Sequence, residues 1–162
     1  MSSQTKICAK RGGENAASEV VQAIPEIEHV GDDVDVHIDA RALAAIEADD
    51  LLQMADSLSA IESGTDLEIK SVMVVYGESQ TRGRYYLRKG QHEYLLEQDA
   101  VYLFAVCEPN PSRSIIAMKL VPAAEVDELV SSWIEADNRP DYAQIAWSRI
   151  FDPEEIERGG RR

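Results

Sequence analysis

Cysteine is scarce in this chain. Cys8 and Cys107 are the only two, 99 positions apart, and they form neither a CxxC pair nor a disulfide framework. Two unrelated thiols are the expectation. No run of 18 or more apolar residues occurs, so no transmembrane helix is expected. The first residues, MSSQTKICAKRGGENAAS, lack the apolar core of a signal peptide, and the expected location is the cytoplasm. GxGxxG, a Walker loop and HExxH are all missing, which argues against a nucleotide-binding fold and a zincin. His29 and His37 lie 55 or more residues from His92, too scattered to read as a zinc site. There is no internal repeat.

Positive charge is also in short supply. Thirty acidic residues face 16 basic ones, for a net charge of −14, and only five of the cations are lysines. The acidic residues are spread over nearly every segment. That distribution suits a protein solvated at high salt, where self-repulsion is screened, and a halophilic source is expected. The competing reading is an acidic decoy that imitates the DNA backbone.

The 162 residues suffice for one domain with a real core. Residues 1–25 are small and polar and read as a disordered arm. The domain is expected over residues 26–156, and residues 157–162 as a flexible tail. VDVHI at Val34–Ile38 alternates like a short strand. Asp39 is placed to cap a helix over about residues 40–54, with Leu43, Ile46, Leu51 and Met54 at roughly helical spacing. SLSAI, the turn ESGT and LEIKSVMVVYG then read as a hairpin with a long second strand. RYYLR is a further strand, QHEYLLEQ a short helix, and AVYLFAVCE a strand covered on both faces. IIAMKLV is a strand, PAAEVDELVSSWIE a helix begun by Pro122, and QIAWSRIF a last strand. PEEIERGGRR reads as loose. The fold class is α/β (α+β), a mixed central sheet flanked by helices. Trp133 and Trp147 are expected in the core.

The chemistry is concentrated on the long strand. Side chains alternate, so Glu68 and Lys70 share a face about 6.6 Å apart along the chain. Val72 and Val74 continue that face as apolar. Charges at the end of an apolar face are costly unless they are paired or hold a metal. A carboxylate offers Mg²⁺ a hard oxygen. A lysine can orient or deprotonate a water and offset charge developing at phosphorus. An ordinary ion pair is the plainer alternative for E-x-K. The next segment, TRGRYYLRK, puts Arg82, Arg84, Arg88 and Lys89 within eight residues, interleaved with tyrosines, a pattern suited to a phosphate backbone. A solvated strand of ion pairs is its alternative. Gln91 and His92 open the following helix, each four residues before a leucine, and so lie near the sheet-facing side.

LEIKS followed by GRYYLRKGQHEYLLEQDAVYLFAVCE resembles the core of the PD-(D/E)XK nuclease superfamily, over about residues 56–108. The resemblance implies a restriction-endonuclease-like fold and Mg²⁺- or Mn²⁺-assisted hydrolysis of a phosphodiester, with nucleic acid, most readily DNA, as partner. It implies Glu68 as a metal ligand and Lys70 as the catalytic lysine. Gln91 falls near a helix position where some members carry an extra active-site residue. Many such nucleases act as dimers, so a homodimer is an expectation. The family also needs an upstream acid. Asp56, 12 residues before Glu68, is the first choice for the metal, with Asp39 and Glu47 as fallbacks. The chain has no clear P-D at that point, and the superfamily includes inactive members. A non-enzymatic interaction protein of plasmid or viral origin, in its extreme form the acidic DNA mimic, is therefore the alternative function.

Overall fold

A computed structural model describes residues 20, 22–30, 38–76, 78–79, 81–109 and 114–159. The strands in chain order are β1 (Ile27–His29), β2 (Ala40–Ala42), β3 (Leu52–Met54), β4 (Asp66–Met73), β5 (Val75–Tyr76), β6 (Thr81–Arg82), β7 (Arg84–Arg88), β8 (Val101–Cys107), β9 (Ile115–Pro122), β10 (Ile134–Ala136) and β11 (Arg139–Ala146). The helices are α1 (Lys89–Glu97), α2 (Ala123–Leu129) and α3 (Pro153–Gly159). Six strands form one mixed sheet in the order β1-β2-β4-β8-β9-β3. β4 and β8 run parallel, as do β9 and β3, and the other pairs are antiparallel. This is the expected α+β architecture, a mixed sheet flanked by helices and consistent with a restriction-endonuclease-like fold.

Alternation sorts the sheet into two faces. Tyr102, Phe104 and Val106 of β8 join Val72, Tyr85, Leu95, Val126 and Trp147 in one apolar cluster. Leu103 and Ala105, the intervening residues, join Leu67, Ile69, Met118 and Leu120 in the other. β8 is therefore buried along its whole length, as its unbroken apolar run demands. A second sheet, ordered β10-β11-β7, lies over the first face. Tyr85 anchors it: its ring centroid lies 4.5 Å from that of Phe104, and its hydroxyl donates to the Ala105 carbonyl at 3.0 Å. Leu87, Ala143 and Ile145 point inward with it, while Arg84, Tyr86, Arg88 and Gln144 are exposed.

Six expectations change. SLSAI forms no hairpin with β4, whose neighbours are β2 and β8. The last strand ends at Ala146, and Trp147–Arg149 is a 3₁₀ turn. The other four concern helices and the ends of the chain. The helix over residues 40–54 does not form. Its ends are β2 and β3, and the segment between them carries a single bridge, Ile46 to Ile61. The alanine-rich stretch favours a helix locally, but its ends pair with long central strands, and those non-local contacts win. Asp39 caps no helix. Its backbone N–H donates to the Leu67 carbonyl, and its carboxylate accepts from the Ile69 N–H. Asp49 makes the turn into β3, its Oδ1 accepting from the N–H groups of Leu51 and Leu52.

Second, the helix after Pro122 stops at Leu129, and the chain turns into β10 at Ile134. Third, the chain near Pro153 is a helix rather than a loose tail, with Ile156 buried in the core. Fourth, the end of the expected arm is folded. Val20 and Ile24 are buried in the second cluster, and the Ile24 N–H donates to the Val20 carbonyl. The rest of that arm apart from 22–25, the expected strand at Val34–Ile38 save Ile38, and the last three residues of the chain lie outside the described residues. Trp147 is fully buried as expected, and Trp133 packs half-buried against the first cluster.

Candidate functional site

The site forms where β2 meets β4. Glu68 and Lys70 point to the same face, as alternation requires. Asp39 immediately precedes β2, which pairs antiparallel with β4, so its carboxylate comes to the same place. The Asp39 carboxylate stands near enough to Glu68 to raise its pKa. Lys70 Nζ lies 3.3 Å from Glu68 Oε2. The fourth member is Gln91, in the first turn of α1. Its Nε2 donates to Glu68 Oε2 at 2.5 Å, and its Oε1 accepts from Lys70 Nζ at 3.2 Å.

Glu68 is buried, with 5% of its surface exposed. Its carboxyl is pushed up to about 8, chiefly by burial, with Lys70 pulling it down and the neighbouring Asp39 carboxylate adding to the rise. A buried carboxylate beside a second one ionises only at a cost, so at neutral pH Glu68 holds a proton. Leu67 and Ile69 both direct backbone groups at Asp39: the Leu67 carbonyl accepts from its N–H, and the Ile69 N–H donates to its carboxylate. Because N–H and C=O of one strand residue point the same way, the Ile69 carbonyl faces this edge too.

The upstream acid that comes to Glu68 is thus Asp39, one of the two fallbacks, and not Asp56. Asp56 follows β3, which β8 and β9 separate from β4. Three strand spacings make that about 14 Å. The adjoining Ser57 hydroxyl instead donates to Glu125 at the start of α2. Glu47, the other fallback, is exposed in the segment between β2 and β3. Asp56 is the first choice from sequence because it stands 12 residues before Glu68, at the start of the expected hairpin strand. With no helix over residues 40–54, Asp39 is the residue that antiparallel pairing brings opposite the E-x-K strand.

Behind the site a polar chain runs from the buried Tyr102 and His92 out to the exposed Asp127, and spacing alone does not reveal it. His92 is buried, with its Nδ1 2.8 Å from the Tyr102 hydroxyl and its Nε2 3.0 Å from Asp127 Oδ1 on α2. Tyr102 sits directly opposite Glu68 in the β4–β8 register. Its phenol is raised well above its ordinary range, first by burial and then by the nearby charges of Glu68 and Asp127. The sequence signal was the position of His92 four residues before Leu96 on the inward side of α1.

The four cations after β6 divide. Arg82 lies over the Trp147 ring, 5.2 Å from its centroid, at the far end of β7 from the site. Arg84 and Arg88 are exposed on the outer face of β7, and Lys89 is half-buried at the start of α1.

A metal fits this geometry in one respect and is limited in another. Among the described residues no group of three or more histidine, cysteine or acidic side chains could enclose an ion. Mg²⁺ asks for less: one or two carboxylates, further oxygen donors and retained waters. Asp39 and Glu68 supply two carboxylates, of which Glu68 would give up its proton to a cation, and the Ile69 carbonyl supplies a further hard oxygen.

Comparison with known proteins agrees with this geometry. A family model described as the PD-(D/E)XK nuclease superfamily domain matches residues 3–152. Neither the curated proteins nor the solved structures contain a match to the chain. The match spans nearly all of the chain and includes the E-x-K strand, the helix that carries Gln91, and Asp39 just before β2. The chain belongs to the PD-(D/E)XK nuclease superfamily.

Proposed function

We propose that the protein is a nuclease that hydrolyses phosphodiester bonds in nucleic acid with Mg²⁺ or Mn²⁺. The observation that carries this reading is the meeting of Asp39, Glu68, Lys70 and Gln91 at one sheet edge, inside a superfamily of nucleases. Family membership makes nucleic acid the natural substrate, and DNA is the form we favour.

Asp39, Glu68 and the Ile69 carbonyl would hold the ion. When bound, it would act as a Lewis acid on the phosphate and lower the pKa of a water. The rest of the work falls to side chains. Lys70 is held by Glu68 and Gln91 in a fixed orientation, ready to position the attacking water and to offset charge developing on phosphorus. Gln91 ties α1 to both members of the E-x-K pair, so the helix and the strand keep one relative position. Burial of Glu68 keeps water from screening these interactions.

The acidic excess supports adaptation to concentrated salt, which sets the assay conditions. Labelled single- and double-stranded DNA and RNA are incubated in molar KCl with Mg²⁺ or Mn²⁺, comparing wild type with Lys70→Ala. The expected result is cleavage by wild type, with Lys70→Ala slower by about 10²-fold or more. Equal rates for the two proteins would reject the mechanism. Absence of cleavage on every substrate would favour a binding protein that keeps the fold.

A further inference from the structure

We infer that the outer face of the β10-β11-β7 sheet is a platform on which the bases of a single-stranded nucleic acid stack. This goes beyond the site by assigning a substrate form, and it rests on the nuclease reading for why such a strand would be delivered there.

The face is built by alternation. Along β7, Arg84, Tyr86 and Arg88 point outward while Tyr85 and Leu87 are buried. The register places Tyr142 opposite Arg88 and Gln144 opposite Tyr86. Tyr86 and Tyr142 stack, with ring centroids 4.8 Å apart and planes 15° from parallel. The Arg139 guanidinium lies over the Tyr142 ring at 5.3 Å. A short column therefore runs from Arg139 through Tyr142 to Tyr86. Tyr86 is exposed.

Two independent features point to a nucleic acid. The first is charge. In a chain with almost two acids per base, Arg84, Arg88 and Arg139 stand on one exposed face, and among the described residues none of them forms an ion pair. Polyanions complement such a face. The second is the stacked tyrosines. With Tyr142 covered by Arg139 on one side and Tyr86 on the other, the outer face of Tyr86 is the place where an unpaired base continues the column, while the flanking guanidinium groups take phosphates. In a duplex the bases are already stacked on one another, so a platform of this kind favours single strands or frayed ends. Stacking also suits a protein adapted to salt, because phosphate contacts lose their counterion-release drive there. The platform joins the site through the chain: Arg88 ends β7, and Gln91 follows three residues later in α1.

The test is fluorescence anisotropy in EDTA with a labelled 12-nucleotide oligo-dT and a blunt duplex of the same length. Wild type is compared with Tyr86→Ala, Tyr142→Ala and Tyr86→Phe, each checked for native circular dichroism. The expected result is tighter binding of oligo-dT than of duplex, a loss of about 10-fold or more in each alanine variant, and near-wild-type binding by Tyr86→Phe. Unchanged affinity in both alanine variants would overturn the inference, as would equal binding of the duplex. So would failure to bind either probe together with a change of oligomeric state in Tyr86→Ala, which would make the face a protein interface. No cleavage enters this measurement. A protein that binds oligo-dT through Tyr86 but cuts nothing would sink the nuclease reading and leave the platform standing.

Discussion

Glu68→Gln is expected to make the metal-free protein more stable while removing cleavage. The sign follows from linkage. Glu68 is buried and its folded carboxyl lies at about 8, against about 4.3 for an unfolded glutamate. Between those values the folded chain holds a proton that the unfolded chain has released. Wild-type stability therefore falls as pH rises, by about 1.4 kcal/mol per pH unit, and levels off above pH 8. Below about pH 4 this contribution is fully present. Glutamine carries no such proton, so the slope disappears. The advantage of Glu68→Gln should open above pH 4.3 and reach a few kcal/mol near pH 8. Urea titrations in EDTA at pH 5, 7 and 9 measure it directly. In Mg²⁺ the order should reverse, because only wild type gains the free energy of binding the ion. Cleavage by Glu68→Gln should fall by about 10²-fold or more. A variant less stable than wild type at pH 9 in EDTA would mean that Glu68 is ionised and well paired in the fold, contrary to its burial.

The second large effect is at Trp147. Its ring is fully buried in the first core cluster. Its Nε1–H donates to the Val74 carbonyl at 2.7 Å, and its backbone N–H donates to the Gly83 carbonyl. One residue thus joins the end of β11 to the segments on either side of the β5–β6 ribbon. Trp147→Ala should cost about 3–5 kcal/mol, from lost packing, a residual cavity and an orphaned carbonyl. In a chain of this size that lowers the melting temperature by about 10 °C or more. Trp133→Ala should cost less, since Trp133 is only half-buried and its ring meets His92 at 5.5 Å. Equal losses in the two variants would show that the core is not organised around Trp147.

The strands that carry chemistry were legible because their patterns are strong. Leu67 to Met73 alternates around two charges, RYYLR alternates cleanly, and β8 is an unbroken apolar run. The match of LEIKS and GRYYLRK to the superfamily rested on the same elements. The largest misreading has a non-local cause. ARALAAIEADDLLQMA has helical propensity, and nothing local announces that its two ends pair with strands elsewhere in the chain. Ala40 pairs with Leu67 and Met54 with Leu120, contacts set by the sheet as a whole. The same pairing decides which acid comes near Glu68: Asp56 has the convenient spacing in sequence, and Asp39 is the one that antiparallel pairing of β2 with β4 brings there. The helix over residues 153–159 and the folded end of the N-terminal segment are hidden by polar composition, and Val20, Ile24 and Ile156 are the apolar residues that tie them down. The His92–Tyr102–Asp127 chain joins three elements, and no local spacing encodes it.

The central claim is that Asp39 and Glu68 together form the cation site. Titration of Mn²⁺, with free ion followed by electron paramagnetic resonance, tests it in wild type, Asp39→Asn and Asp56→Asn at pH 7.5. The expected result is binding by wild type and by Asp56→Asn with equal affinity, and a loss of about 10²-fold in Asp39→Asn. Loss of binding in Asp56→Asn with wild-type affinity in Asp39→Asn would contradict it.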